Sequence, residues 1–289
     1  MNIYEIRTKA VREIGKAGSD TPELDADLII GDVLAQNRTW ILFHRNSQLT
    51  DEQAEKIDSA IRKRTEGLPV AYITGKKEFY GYEFIVTPDV LIPKPDTETL
   101  VDFALSAVTS ETKSICDLCS GSGCVGLSIY SALLDSGIKY SSIPNFTFVD
   151  ISQAALDISK RNAAKLLNPI SVQKISFAKS DILENISGTF DIIVTNPPYI
   201  PSGEAAELLK DGRNEPLLAL DGLSEDGLGI IRNLIPQSLA HLNEGGLLAM
   251  ETGEYNAEKA AELMREAGFR DVAIEKDLAG LLRVVHGRK

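Results

Sequence analysis

The sequence is poor in the residues that build extracellular scaffolds and metal centres. It has three cysteines, three histidines and one tryptophan in 289 residues. An odd cysteine count argues against a disulfide framework. Cys116, Cys119 and Cys124 all fall in one short stretch, and no second pair or nearby histidine completes a zinc site. Small, buried thiols and no metal are expected. No apolar run approaches the ~20 residues of a membrane span. The start, Met1 to Arg7, mixes charge into an amphipathic pattern, unlike a signal peptide. A cytoplasmic location is the expectation. Basic excess is missing too: the net charge is −12. That argues against phosphate-dominated binding to long nucleic acid and suits a small-molecule or protein substrate.

What is present is a soluble globular composition, 43% hydrophobic and 25% charged. One stretch organises the rest: Phe190-Asp191-Ile192-Ile193-Val194-Thr195-Asn196-Pro197-Pro198-Tyr199. It begins as a buried strand of β-branched residues. The prolines cannot extend a ladder, because neither has a backbone N–H and each fixes its own φ. The result is a rigid turn carrying an amide, unpartnered carbonyls and an aromatic ring. These groups suit a planar –NH2. Asn196 Oδ1 can accept one N–H, the Pro197 carbonyl the other, and Tyr199 can lie on the adjoining π-system.

Helical spacing runs from the N-terminus to about residue 68. Ile3, Ile6, Ala10 and Ile14 share one face, and Gly15 and Gly18 end that segment. Thr21 should cap the next helix, with Pro22 at its first position and Leu24, Leu28, Val33 and Leu34 as its apolar side. Thr50 to Gln53 reads as a capping box. Phe79 to Val86 reads as a hairpin turning near Gly81. Leu91 to Glu98 is a proline-held loop, with Thr97 or Asp96 capping a helix through Leu100, Val101, Ala104 and Val108.

From Ser114 strands and helices alternate, the mark of a parallel α/β sheet. Ser114 to Leu118 is a strand, Cys119-Ser120-Gly121-Ser122-Gly123 a glycine turn, and the helix after it offers free N–H groups. Asp150 ends the next strand, placed to hold a ribose diol. A third strand is read over Val172 to Phe177. Asp181 beyond it can accept from an exocyclic amine, while Ile182 lies on the base. Strand ends share one edge, so a nucleoside-containing cofactor and the –NH2 acceptor should be neighbours. Ser202 to Gly229 reads as a loop whose role the sequence leaves open, and its part from Asn214 to Gly229 as lying on the substrate side. A helix over 230–242 leads to a Gly245-Gly246 turn and a strand from Leu247 to Glu251. Asn256 to Ala267 is a further helix, and two last strands imply one antiparallel partner.

Together the chain resembles the class I S-adenosyl-L-methionine (SAM)-dependent methyltransferases. More narrowly it resembles the protein N5-glutamine methyltransferases of class-1 peptide chain release factors. The likeness runs over Pro69 to Gly75, Glu78 to Gly81, Leu91 to Glu98, Asp117 to Gly123, Asn196 to Tyr199 and Asp277 to Val285. The Asn-Pro-Pro-Tyr stretch is shared with methylases of nucleic-acid exocyclic amines. The Ile92 to Glu98 loop is more specific and favours the release-factor branch over the ribosomal-protein one.

The resemblance implies a Rossmann-like α/β fold, with a seven-stranded mixed sheet, a small N-terminal helical domain and a β-hairpin connector. It implies a substrate-recognition domain over 1–75, and the hairpin linker with the catalytic domain over 76–289. It further implies SAM held by Cys119, Ser120, Gly121, Ser122, Gly123, Asp150, Asp181, Ile182 and Asn196. The glutamine of a Gly-Gly-Gln motif is then held by Asn196, Pro197, Pro198 and Tyr199, with Asn196, Pro197 and Tyr199 carrying catalysis. No membrane or nucleic-acid partner is expected.

Three positions depart from the family pattern. Lys94 stands for the usual Arg, which loses bidentate pairing. Cys119 stands for a glycine, so an ordinary dihedral is expected there. Asn256 stands for Gln. Rival readings are a ribosomal-protein glutamine methyltransferase, a nucleic-acid amino-methyltransferase acting on a flipped base, and a binding module that kept the fold.

Overall fold

A computed structural model describes residues 1–212 and 214–289. They divide into two compact units, Met1–Lys76 with Leu208–Asn214, and Lys77–Glu207 with Glu215–Lys289.

The first unit is built from α1 (Ile3–Lys16), α2 (Pro22–Leu34), α3 (Arg38–Phe43), α4 (Asp51–Thr65) and α5 (Val70–Thr74). In α1 the residues read as one face, Ile3, Ile6, Ala10 and Ile14, are all buried. Thr50 and Gln53 form the capping box that opens α4. Two details of α2 differ from the sequence reading. Leu24 and Leu28 are exposed, and the core takes Ala26, Ile29 and Ile30 instead. Thr21 makes no side-chain cap bond; its hydroxyl turns to Asp25 at 3.3 Å. The cause is ionic, because Asp25 and Asp27 are themselves buried. Asp27 receives Arg7 Nε at 2.5 Å and Arg38 Nε at 2.9 Å, and Asp25 receives Arg64 Nε at 2.7 Å. These carboxylates turn the helix so that the leucines face out.

The second unit starts at Lys77, one residue into the hairpin of β1 (Lys76–Phe79) and β2 (Tyr82–Ile85). Its turn residues, Tyr80 and Gly81, both have positive φ, as a two-residue type I′ hairpin demands. Helix α6 (Glu98–Ala107) follows, and Tyr80 N–H donates to Glu98 at 2.8 Å. Thr97 does not cap α6 with its side chain. A single 3-10 turn over Pro95–Thr97 precedes the helix, so Thr97 already has helical φ and ψ.

Then come β3 (Ser114–Leu118), α7 (Cys124–Asp135), β4 (Asn145–Asp150), α8 (Gln153–Leu166), β5 (Ile175–Lys179), β6 (Phe190–Thr195), α9 (Ser202–Leu208), α10 (Gly229–His241), β7 (Leu242–Glu251), α11 (Ala257–Glu266), β8 (Arg270–Lys276) and β9 (Leu282–Arg288). The sheet order is β5-β4-β3-β6-β7-β9-β8. Strand β9 pairs antiparallel with both neighbours, and the other pairings are parallel. This is the expected mixed sheet.

The third strand starts later than read, at Ile175, because Ser171–Lys174 is a 3-10 turn. The glycines at 245 and 246 lie within β7. Its register against β6 jumps from Phe190↔Leu242 to Ile192↔Leu247, so they form a bulge and not a turn. Apolar clusters cover both faces, one including Leu100, Leu127 and Phe148, the other Ile193, Leu234 and Met264.

Removing Asp27 should leave Arg7 and Arg38 without a buried anion. Because both arginines also reach solvent, Asp27→Ala is expected to cost about 2–3 kcal/mol. Urea unfolding reads this as a lower midpoint; an unchanged midpoint would mean that the ion network contributes nothing.

Candidate active site

Strands β3 and β4 leave the sheet centre on one side, and β6 and β7 on the other. The chain reverses its order between β3 and β6, where ligands settle outside the carboxyl ends of such sheets. A cavity of about 280 Å³ lies at that edge. Cys119, Ser120, Gly121, Ser122, Asp150, Asp181, Ile182, Asn196 and Pro198 line it, together with Lys94, Thr97 and Asp117. Most of the residues singled out from sequence thus meet in one place. Gly123, Pro197 and Tyr199 are not among the lining residues. Gly123 opens α7 just behind the turn with φ +77, and a Cβ there would meet Ser159 Oγ at 2.4 Å.

The glycine turn is held from both ends. Ser120 N–H donates to the Val149 carbonyl at 3.0 Å, and Gly121 N–H to Asp150 Oδ2 at 2.8 Å. Asp150 Oδ1 takes Ser152 N–H at 2.8 Å. Each oxygen keeps a further lone pair for a ligand hydroxyl.

The expectation for Cys119 is overturned: its φ is +56. Ser120 must carry its N–H across to β4 while the chain reverses, and Cys119 absorbs the bend. A left-handed non-glycine residue costs about 1–2 kcal/mol. Ile182 is left-handed as well, at φ +49, which is rarer for a β-branched residue. Its turn is fixed by Leu183 N–H donating to Gln237 on α10 at 3.0 Å.

The proline turn after β6 is equally pinned. Asn196 Nδ2 donates to Thr97 Oγ1 at 3.2 Å. Tyr199 O–H donates to Glu251 Oε1 at 3.0 Å, and the Tyr199 carbonyl accepts from Asn256 Nδ2 at 3.1 Å. Asn256 therefore braces the turn from behind. The segment after Tyr199 is not the long open loop read from sequence. It carries α9, and its later part is bonded to the turn. Ile200 N–H donates to Leu220 and Gly222 N–H returns to Ile200, at 3.0 and 2.9 Å. Gly227 packs so closely that a Cβ would sit 2.2 Å from the Tyr199 carbonyl oxygen. Arg213, inside the segment read as a loop of unknown role, lies outside the described residues. Lys94 donates to Glu215 at 2.7 Å, a point-charge contact that needs no bidentate fork.

The site is anionic. Burial pushes the Asp117 carboxyl up to about 8, although the Gly126 N–H opposes this. Asp150 is raised by burial too, against its backbone donors. Glu251 is pushed up to about 7, mainly by burial, with Thr97, Tyr199 and Arg283 favouring the charged form. A cationic cofactor with a ribose diol fits this donor set, since it would favour the ionised form of Asp117 and Asp150, two carboxyls raised by burial that line the cavity. The Ser120 hydroxyl at the cavity wall is buried and has no partner among the described residues, a further free group for such a ligand.

Glu251, Asp117 and Thr97 are the residues that sequence reading undervalued. Asp117 was legible as part of the glycine-turn motif. Glu251 was legible as a carboxylate at a strand end, the signal that singled out Asp150.

Residues 5–75 match the PrmC N-terminal domain, and residues 96–212 the methyltransferase small domain. A release factor glutamine methyltransferase of Koribacter versatilis is 35% identical over 293 residues, covering 100% of this chain and 99% of that protein. One of Clostridium botulinum is 36% identical, covering 95% and 94%. One of Escherichia coli K12 is 34% identical, covering 93% of each. Among solved structures, the hMettl16 catalytic domain in complex with MAT2A 3'UTR hairpin 6 aligns with TM-score 0.57 at 14% identity, over 85% of each chain. A Pyrococcus furiosus methyltransferase aligns with TM-score 0.51 at 19% identity, over 74% of this chain and 91% of that one. These two likenesses concern the fold.

Between pH 4 and 8 the folded chain keeps a proton on Asp117 that the unfolded chain releases, so stability falls as pH rises through that window. Asp117→Asn can still accept from Gly126 and removes this burden. Its melting temperature, scanned from pH 5 to 8.5 without ligand, should fall less than that of the parent. Equal slopes would refute the assignment.

Proposed function

The chain belongs to the release factor glutamine methyltransferase family, and on that premise we propose how its own residues carry the reaction. The protein transfers a methyl group from SAM to the side-chain amide nitrogen of a release-factor glutamine. When bound, SAM supplies an electrophilic methyl on a sulfonium, whose sulfur leaves as a neutral thioether. Asp150 holds the ribose diol, Asp181 and Ile182 the base, and Cys119 to Gly123 the backbone-facing side of the cofactor. Asp150 lends negative charge to that side of the cavity, and a bound cation would favour the ionised form of Asp117 beside it. The target is the N5 nitrogen of the glutamine in the Gly-Gly-Gln motif of class-1 release factors.

An amide nitrogen is a poor nucleophile because its lone pair is delocalised. The free Oδ1 of Asn196 and the Pro197 carbonyl accept its two N–H groups, fix its direction and return density to nitrogen. Tyr199 and Pro198 bound the amide plane. The nitrogen forms the new N–C bond and then gives its surplus proton to water. Alignment of this kind can lower a barrier by roughly 7–11 kcal/mol. One observation carries the reading. Asn196 and Pro198 line the same cavity as Asp150 and Asp181, so amide acceptor and nucleoside holder are neighbours.

The helical unit serves to recognise the release factor. Its exposed Phe43, Leu42, Leu24 and Leu28 support that role as an apolar contact surface. Among the described residues no helix is long and apolar enough to cross a membrane, and a release-factor substrate would be met in the cytoplasm.

Asn196→Ala removes one acceptor and leaves the glycine turn intact. Turnover on a release factor should fall by roughly 100-fold or more, while SAM affinity by calorimetry stays within about 3-fold. Full turnover in this variant would sink the assignment of Asn196.

A further inference from the structure

We propose that Glu251 is a positioning residue that, acting through Thr97, fixes which end of the Asn196 amide faces the cavity. The inference rests on the reading of Asn196 as acceptor for the substrate amide.

The two ends of an Asn side chain have nearly the same shape and opposite chemistry. With Oδ1 toward the cavity, Asn196 accepts an N–H of the substrate. With Nδ2 there, two donors face each other and the site cannot hold an –NH2. Something must set the sense, and among the described residues Asn196 has one side-chain partner, Thr97 Oγ1 at 3.2 Å. A hydroxyl alone does not decide, since it can donate or accept.

The decision is made one residue further in. Thr97 and Glu251 are both buried, each 2% exposed. The Thr97 hydroxyl favours the ionised carboxylate of Glu251. One carboxylate oxygen, Oε2, is sealed from solvent and has no hydrogen-bond partner among the described residues. It is an acceptor in need of a proton. A carboxylate can only accept, so the single Thr97 hydrogen points to Glu251. Thr97 then has lone pairs alone to offer Asn196, which must turn Nδ2 inward and Oδ1 to the cavity. A protonated Glu251 can donate instead. The Thr97 hydrogen is then free to bond Oδ1, and the amide can reverse.

The same carboxylate accepts from Tyr199 O–H at 3.0 Å, so both ends of the Asn196 to Tyr199 turn are tied to one group. Burial favours its neutral form, and the charges around it pull in both directions. Arg283 from β9 is 8% exposed and lies 3.0 Å from Asp277 and 3.3 Å from Asp96. Its charge favours ionised Glu251, and Asp96 opposes it. Tyr199 stays protonated at any working pH, held so by burial and by Glu251. Cys124, on the glycine-turn side, is pushed up to about 12 and stays neutral. Two carboxyls near this cluster change charge close to neutrality, Glu251 at about 7 and Asp117, on the far side of Cys124, at about 8; only Glu251 is tied to Thr97 and Tyr199, so the Glu251→Gln variant tells the two apart.

The test is single-turnover methylation of a purified release factor between pH 6 and 9, beside SAM calorimetry, for the parent, Thr97→Ser, Thr97→Val and Glu251→Gln. Methylation by the parent tests the substrate reading; ratios between variants test the inference. Thr97→Ser keeps the hydroxyl and should stay within about 3-fold of the parent. The isosteric Thr97→Val should lose roughly 10–100-fold in the methylation rate, with release-factor KM and SAM affinity little changed. The parent rate should fall on acidification with a one-proton limb near pH 7, and Glu251→Gln should flatten that limb. Equal rates for the Ser and Val variants, or the same acid limb in Glu251→Gln, would overturn the proposal.

Discussion

The ladder of β6 ends at Thr195 because Pro197 and Pro198 have no N–H to extend it. That covalent fact leaves Asn196 and the following carbonyls without strand partners, and the rest of the edge is arranged to supply them. Thr97 takes the amide nitrogen, Asn256 the Tyr199 carbonyl, Glu251 the Tyr199 hydroxyl, and the backbone of residues 220–222 the chain at Ile200. Each partner comes from a different element. The turn is rigid because its groups are bonded all round, and Asn196 lines the cavity with its Nδ2 held by Thr97.

The opposite wall is built by the same economy. One strand-end carboxylate, Asp150, takes N–H groups from the glycine turn and from the start of α8. Two left-handed non-glycine residues, Cys119 and Ile182, absorb the bends this requires. Strain of that kind persists where surrounding bonds over-determine the backbone, and it gathers at ligand sites. The carboxyls of Asp117 and Asp150 are held in burial at a cost in stability that a cation in the cavity would relieve.

Much of this was legible in the sequence. Periodicity gave the α1 face, the strands from Ser114 onward and the single antiparallel partner, because long patterned segments bury themselves as their pattern says. The Asn196 to Tyr199 turn was legible because prolines act locally. What was not legible depended on partners far along the chain. Leu24 and Leu28 face outward because Asp25 and Asp27 recruit Arg7, Arg38 and Arg64. Thr97 looked like a helix cap, since nothing nearby reveals that its hydroxyl is claimed by Asn196, 99 residues away. Cys119 broke the rule against positive φ because Ser120 must reach Val149. The segment after Tyr199 looked like a loop because its order comes from backbone bonds to residues 200–202, which leave no side-chain pattern.

The measurement closest to the central claim is transfer of labelled methyl from SAM to a purified class-1 release factor, beside a copy with the Gly-Gly-Gln glutamine changed to alanine. The account predicts label in the first, at one glutamine side chain, and none in the second. Equal label in both, or none in either while SAM binds, would contradict it.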